Sequence, residues 1–146
     1  MTARSEVVFL ARAWIGTPYS HQASCLQGGT DCLGLIRGIW RSLYGCEPEL
    51  PAPYSADWAE AGGAEALWQA AARHLVPVQA NDPFRMGQVL LFRMKPRAVA
   101  KHVGLLSERG PLRFIHAYGG HGVVENALSA PWRARLVARF DFPDVR

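Results

Sequence analysis

Gly28-Gly29-Thr30-Asp31-Cys32-Leu33-Gly34-Leu35-Ile36 sets a glycine-rich loop directly against the first turn of an apolar helix. Thr30 or Asp31 can serve as N-cap, and Leu35, Ile36, Ile39, Trp40 and Leu43 recur at helical spacing until Gly45 stops the pattern. Cys32 therefore stands at a helix N-terminus. Unpaired N–H groups there carry roughly half a positive charge, which favours thiolate over thiol and predicts a depressed thiol pKa. The same groups can cradle a developing oxyanion. The plainer alternative is a small buried hydrophobe, the usual fate of a free cysteine. The Gly-Gly-Thr-Asp approach and two histidines further along favour a nucleophile.

Working outward, 146 residues with 49% hydrophobic and 19% charged content predict one globular domain over residues 1–146. The formal net charge of +4 comes from sixteen Lys and Arg scattered along the chain, with local density only between Arg93 and Lys101. Such scatter reads as a solvated surface, not a nucleic-acid footprint. No run approaches the length of a transmembrane helix, and the apolar stretch 7–10 is too short and too closely flanked by charge for a signal peptide. Synthesis in the cytoplasm without membrane insertion is expected. Cys25, Cys32 and Cys46 are odd in number and lack C-x-x-C spacing, which argues for free thiols over a disulfide framework or a zinc knot. A zinc site built from Cys25, Cys32, His21 and His102 would need a regularity that the spacing lacks. No cofactor is expected.

Before the cysteine, Val7, Leu10, Ala11, Trp14 and Ile15 share one helical face until Gly16-Thr17-Pro18 ends the pattern. Residues 19–30 form a polar loop carrying His21, Gln22, Ser24 and Cys25, a natural wall for a cleft. After the Cys32 helix, Pro48, Pro51 and Pro53 interrupt regular structure, and an Ala-rich helix follows over 64–75. From residue 87 the pattern becomes β: 88–93, 101–106, 113–117, 123–126 and 135–142 are short apolar or alternating runs separated by Gly and Pro. Helices first and strands later give an α+β fold with an antiparallel sheet.

The hairpin between 101–106 and 112–117 decides where His102 and His116 point. A five-residue loop over 107–111 pairs Leu106 with Leu112 and sets His102 opposite His116, with Cβ atoms about 5 Å apart on one face. A two-residue turn at Arg109-Gly110 would shift the register by one and separate them. The longer loop is expected, since Pro111 cannot donate to a ladder. A helix-terminal cysteine with two histidines on one sheet face has the parts of a Cys-His-His hydrolase. Cys32 attacks a carbonyl, His102 takes the thiol proton and returns it to the leaving amine, and His116 orients His102. Either histidine alone would read as a satisfied, half-buried side chain.

Trp14-Ile15-Gly16-Thr17-Pro18-Tyr19, Thr30-Asp31-Cys32-Leu33-Gly34-Leu35, Gln88-Val89-Leu90-Leu91-Phe92, His102-Val103-Gly104-Leu105 and Phe114-Ile115-His116-Ala117 resemble, in order, the motifs of NlpC/P60 cysteine peptidases, most closely the phage-tail and gene-transfer-agent branch. The resemblance implies a papain-like fold and hydrolysis of peptidoglycan stem peptides, typically between γ-D-glutamate and a diamino acid. It places Cys32, His102 and His116 on the catalytic positions. It also makes Tyr19 and Asp31 site-lining, Tyr19 as a donor near the oxyanion and Asp31 as partner to a substrate amine, although Asp31 can equally be a plain N-cap and Tyr19 a packed aromatic. His21, typical of the phage-like branch, contacts substrate or caps its loop. Leu33 and Gln88 depart from the Ser and Asp common in relatives. Delivery with a phage-like particle to the periplasm or cell wall follows from the same resemblance, with tail or baseplate proteins as partners. The competing expectation is a weakly active tail-tip or wall-binding component. Of the tryptophans, Trp14 and Trp40 read as core, while Trp58, Trp68 and Trp132 could face a glycan strand.

Overall fold

The computed structural model describes residues 1–50 and 65–146. Pro51, Pro53 and Trp58, and the start of the Ala-rich helix at Ala64, lie outside them. In chain order the described elements are α1 (Arg4–Arg12), β1 (Ser24–Cys25), β2 (Gly29–Thr30), α2 (Cys32–Tyr44), α3 (Ala66–His74), β3 (Val76–Val78), β4 (Val89–Phe92), β5 (His102–Arg109), β6 (Leu112–Tyr118), β7 (Gly122–Ala127), α4 (Ala130–Arg135) and β8 (Leu136–Asp141). Six strands form one sheet in the order β3-β8-β4-β5-β6-β7, every neighbouring pair antiparallel. This is the expected α+β arrangement. Among the described residues no helix is long and apolar enough to cross a membrane.

Strand alternation divides the sheet into two unlike faces. Val89, Leu91, Val103, Leu105, Ile115, Ala117 and Val123 meet Val7, Val8 and Ala11 of α1 and Leu35, Ile36 and Ile39 of α2 in the larger core. The other face carries Leu90, Phe92, Leu106 and Phe114, packed with Leu128 and Trp132. The first helix is shorter than its periodicity suggests. It ends at Arg12, yet Trp14 is still buried while Ile15 is exposed.

The Cys32 helix forms as its sequence dictates. Asp31 caps it, Oδ1 accepting from the Gly34 N–H at 2.7 Å, and Gly45 with φ 92° ends it. Gly34 is required by packing: a Cβ there would sit 2.0 Å from the Ala23 carbonyl oxygen, so only glycine lets the loop of residues 19–30 close onto the helix start.

The β5–β6 hairpin corrects the expected loop. Arg109 pairs with Leu112, so the connection is the two-residue turn Gly110-Pro111, and Pro111 stays out of the ladder by sitting in the turn itself. That register alone would put the two histidines on opposite faces. A bulge between Leu106 and Glu108 takes up one residue, and beyond it Leu106 pairs with Phe114 and Leu105 with Ile115. Parity is restored at Ser107, whose hydroxyl donates to Glu125 at 2.5 Å. Carried back along β5, the register sets Gly104, not His102, against His116, making the histidines diagonal neighbours on one face. A Cβ at Gly104 would lie 3.2 Å from the His116 Cβ, so its absence leaves room for the His116 ring.

Candidate active site

The sulfur of Cys32 meets the main chain on both sides of His102. Its S–H donates to the Lys101 carbonyl at 3.8 Å, and the Val103 N–H points back at the sulfur. His102 Nε2 lies 2.8 Å from His116 Nδ1, and His116 Nε2 lies 2.7 Å from Asn126 Oδ1. The result is a hydrogen-bonded line, His102–His116–Asn126, beginning on the strand that Cys32 touches. His102 is 7% exposed and His116 fully buried. Trp132 of α4 closes over both rings edge-on or tilted, with centroids 5.7 Å from His102 and 5.1 Å from His116. Phe92 and Phe114 complete the apolar wall.

Burial governs the protonation states. Removing imidazolium from water pushes His102 down to about 3, with His116 and Lys101 adding to the shift. His116 is also lowered, by burial first and with the Asn126 hydrogen bond opposing. The thiol runs opposite to the expectation from a helix N-terminus. Burial, followed by the Asp31 carboxylate, pushes Cys32 up to about 12, although N–H groups of Val103, Leu33 and Cys32 itself favour the thiolate. Burial is the larger cause, and the residue that caps the helix adds a negative charge beside the terminus whose partial positive charge would have stabilised sulfur. The thiol and both imidazoles are therefore neutral near pH 7.

Tyr19 reaches this site through loop pairing. Ser20 N–H donates to the Thr30 carbonyl and Thr30 N–H to the Pro18 carbonyl, both at 3.0 Å, which pins Tyr19 next to the Cys32 helix start. Its phenol is 41% exposed and raised in pKa by burial, then by Cys32 and Asp31, so it faces both. Asp31 is 2% exposed and its second oxygen accepts the Gln22 N–H at 2.8 Å. Its partners are those of a cap and loop clasp, and a substrate amine would have to compete with two main-chain donors. His21 is exposed on that same loop.

Two contributors are absent from the sequence reading, Asn126 and the pairing of Tyr118 with His121. Asn126 shares a face with His116 two residues along β7 from Val124, the direct partner of His116. Glu125 and Asn126 are adjacent polar residues toward the exposed end of β7, so the strand by itself gave no signal for Asn126. Tyr118 stacks on His121 at 5.4 Å and lies edge-on to His102, so His121 belongs to the rim of the site. Of the tryptophans left open, Trp132 roofs the histidines and Trp68 packs on the larger core. Cys25 and Cys46 are exposed thiols, and among the described residues no three His, Cys, Asp or Glu side chains converge as metal ligands.

No protein-family model and no curated protein matches the sequence. Solved structures do match in shape. A lipoprotein-like protein of the NLP/P60 family from Staphylococcus aureus superposes with a TM-score of 0.63 at 20% identity, covering 95% of this chain and 41% of that one. The NlpC/p60 domain of peptidoglycan hydrolase SagA gives 0.62 at 20% identity, with 95% and 98% covered. Ly7917, solved with the hydrolyzing product of MDP, gives 0.59 at 19% identity, with 96% and 63% covered. The chain thus spans about two fifths of the first and nearly the whole of the second. Its fold is that of NlpC/P60 domains.

Proposed function

We propose that the protein is a peptidoglycan hydrolase, a cysteine peptidase in which Cys32 is the nucleophile, His102 the general base and acid, and His116 the group that orients His102. One observation carries the reading: a helix-terminal cysteine held against the peptide groups flanking His102, whose ring starts a buried line of hydrogen bonds through His116. Packing alone has no use for two neutral imidazoles under an indole roof. The NlpC/P60 fold, shared with the domain of peptidoglycan hydrolase SagA and with Ly7917, which was solved with the hydrolyzing product of MDP, supports the substrate class.

The neutral resting pair sets the course of the reaction. As Cys32 sulfur bonds to the substrate carbonyl carbon, its proton moves to the free nitrogen of His102, so no thiolate needs to exist beforehand. Tyr19 and the Cys32 N–H donate to the oxyanion. His102 then gives the proton to the departing amine, leaving a thioester. Water attacks that thioester, losing its proton to His102, and the thiol is regenerated as the carboxylate leaves. The bond we assign is that between γ-D-glutamate and the diamino acid of the stem peptide, with Tyr19, Asp31 and His21 lining the approach. Action from the tail of a phage-like particle, docked on tail or baseplate proteins, follows from the ordered motifs that resemble that branch.

The test is release of free amino groups from purified sacculi. The protein should release them, and prior alkylation of its thiols should stop it. No release by reduced, folded protein would overturn the assignment.

A further inference from the structure

Asn126 lies at the far end of the histidine line, beyond His116, and ends the chain of proton positions. Each neutral imidazole has one N–H and one lone pair, so two imidazoles hydrogen-bonded to each other have only two arrangements of protons. Burial keeps both rings neutral at pH 7. In the structure, the Asn126 carbonyl oxygen faces His116 Nε2 at 2.7 Å. A carbonyl only accepts, so the His116 proton is on Nε2 and Nδ1 is a lone pair. That lone pair lies 2.8 Å from His102 Nε2, which must then carry the His102 proton. His102 Nδ1 is left as a lone pair, the one nitrogen able to take the thiol proton. Were the amide turned to present its NH2, every proton would shift: His116 would hold its proton on Nδ1, His102 would accept at Nε2, and His102 Nδ1 would be occupied.

We infer that Asn126 is a positioning residue that selects the base-competent tautomer of His102 through His116. Its surroundings suit that task. It is fixed on β7 opposite Phe114, whose ring lies 4.2 Å from the His116 ring, and Trp132 covers both imidazoles. His116 is fully buried while Asn126 is exposed, so the amide holds His116 Nε2 at the border between the buried rings and solvent. The inference rests on the reading of Cys32 and His102 as nucleophile and base, but its test needs no substrate.

The experiment is 15N NMR of histidine-labelled full-length protein at pH 7.5, where the ring nitrogen shifts distinguish the two tautomers. Both His102 and His116 should be protonated on Nε2. In Asn126→Leu, which keeps the volume and removes the carbonyl, the signals should move toward a mixture of tautomers. Cys32 alkylation should slow by about tenfold or more in that variant, since the base is mispositioned for part of the time. Wild-type protein with either histidine protonated on Nδ1 would overturn the inference whether or not the variant folds. So would Asn126→Leu that folds with both rings still on Nε2. Failure to digest peptidoglycan, with the tautomers as stated, would count against the proposed substrate and leave the tautomer assignment standing.

Discussion

The two faces of the six-stranded sheet are built from different chemistry. On the helix side, Val89, Leu91, Val103, Leu105 and Ile115 meet α1 and α2 in an aliphatic core. On the other side, one residue along each strand, Phe92, His102, Phe114 and His116 lie under Trp132. The first face is held mainly by apolar burial, with Glu125 and its ion pair to Arg12 at its rim. The second combines aromatic packing with a satisfied polar line, which keeps imidazoles neutral and fixed at the cost of a site sensitive to acid. Cys32 comes from the helix side and meets the sheet at β5 where His102 begins the strand. On the proposed reading, the aliphatic face serves stability and the aromatic–imidazole face serves reactivity, the two joined at the start of one strand.

The largest expected effect lies on the reactive face. His102→Gln should lower peptidoglycan cleavage by roughly 10³- to 10⁴-fold, the scale at which a catalytic base acts, while circular dichroism shows an intact fold. Ile115→Ala, adjacent to His116 but on the aliphatic face, should do the converse. It should cost about 2–5 kcal/mol in denaturant unfolding and leave activity per folded molecule within a few-fold of wild type. If Ile115→Ala abolished activity in folded protein, the separation of the faces would fail.

Acid sharpens the contrast. The His102 pKa is depressed to about 3 in the folded protein, below an unfolded value near 6.5. The unfolded chain therefore takes up the proton first, and the stability present above pH 6.5 is lost as pH falls toward 3. From pH 7 to 5 this amounts to about 2 kcal/mol, measurable as a falling midpoint in urea. His102→Gln should flatten that part of the profile. The smallest effect belongs to the rim of the helix face, where Arg12 and Glu125 pair at 2.8 Å with the Arg12 side chain 42% exposed. Arg12→Ala should cost less than about 1 kcal/mol, and the thermal midpoint should hardly change.

What was legible in the sequence follows the range of the interactions. The Cys32 helix is written locally, in a cap, a 3.6-residue period and a terminal glycine, and it forms as read. The shared face of His102 and His116 was also reached, but through a five-residue loop that does not exist. The actual route is a tight turn plus a bulge at Ser107, and a bulge is decided by pairing across strands, so a single strand carries little sign of it. Strand β3, Val76-Pro77-Val78, escaped because an internal proline argues against a strand everywhere except at an edge, which is where it lies. The helix of residues 130–135 is too short for a period and hid the roof formed by Trp132. Asn126 needed the β6–β7 register. The thiol pKa was misjudged because burial, which arises only in the assembled fold, outweighs the helix terminus, and the charge of the adjacent Asp31 adds to it.

The most direct test is mass spectrometry of diaminopimelate-type muropeptides incubated with wild-type protein and with Cys32→Ala. Cleavage between γ-D-glutamate and the diamino acid by the wild type alone is the predicted result. Equal cleavage by both proteins, or none by either with the fold intact and the thiol reduced, would contradict a Cys32-based peptidase.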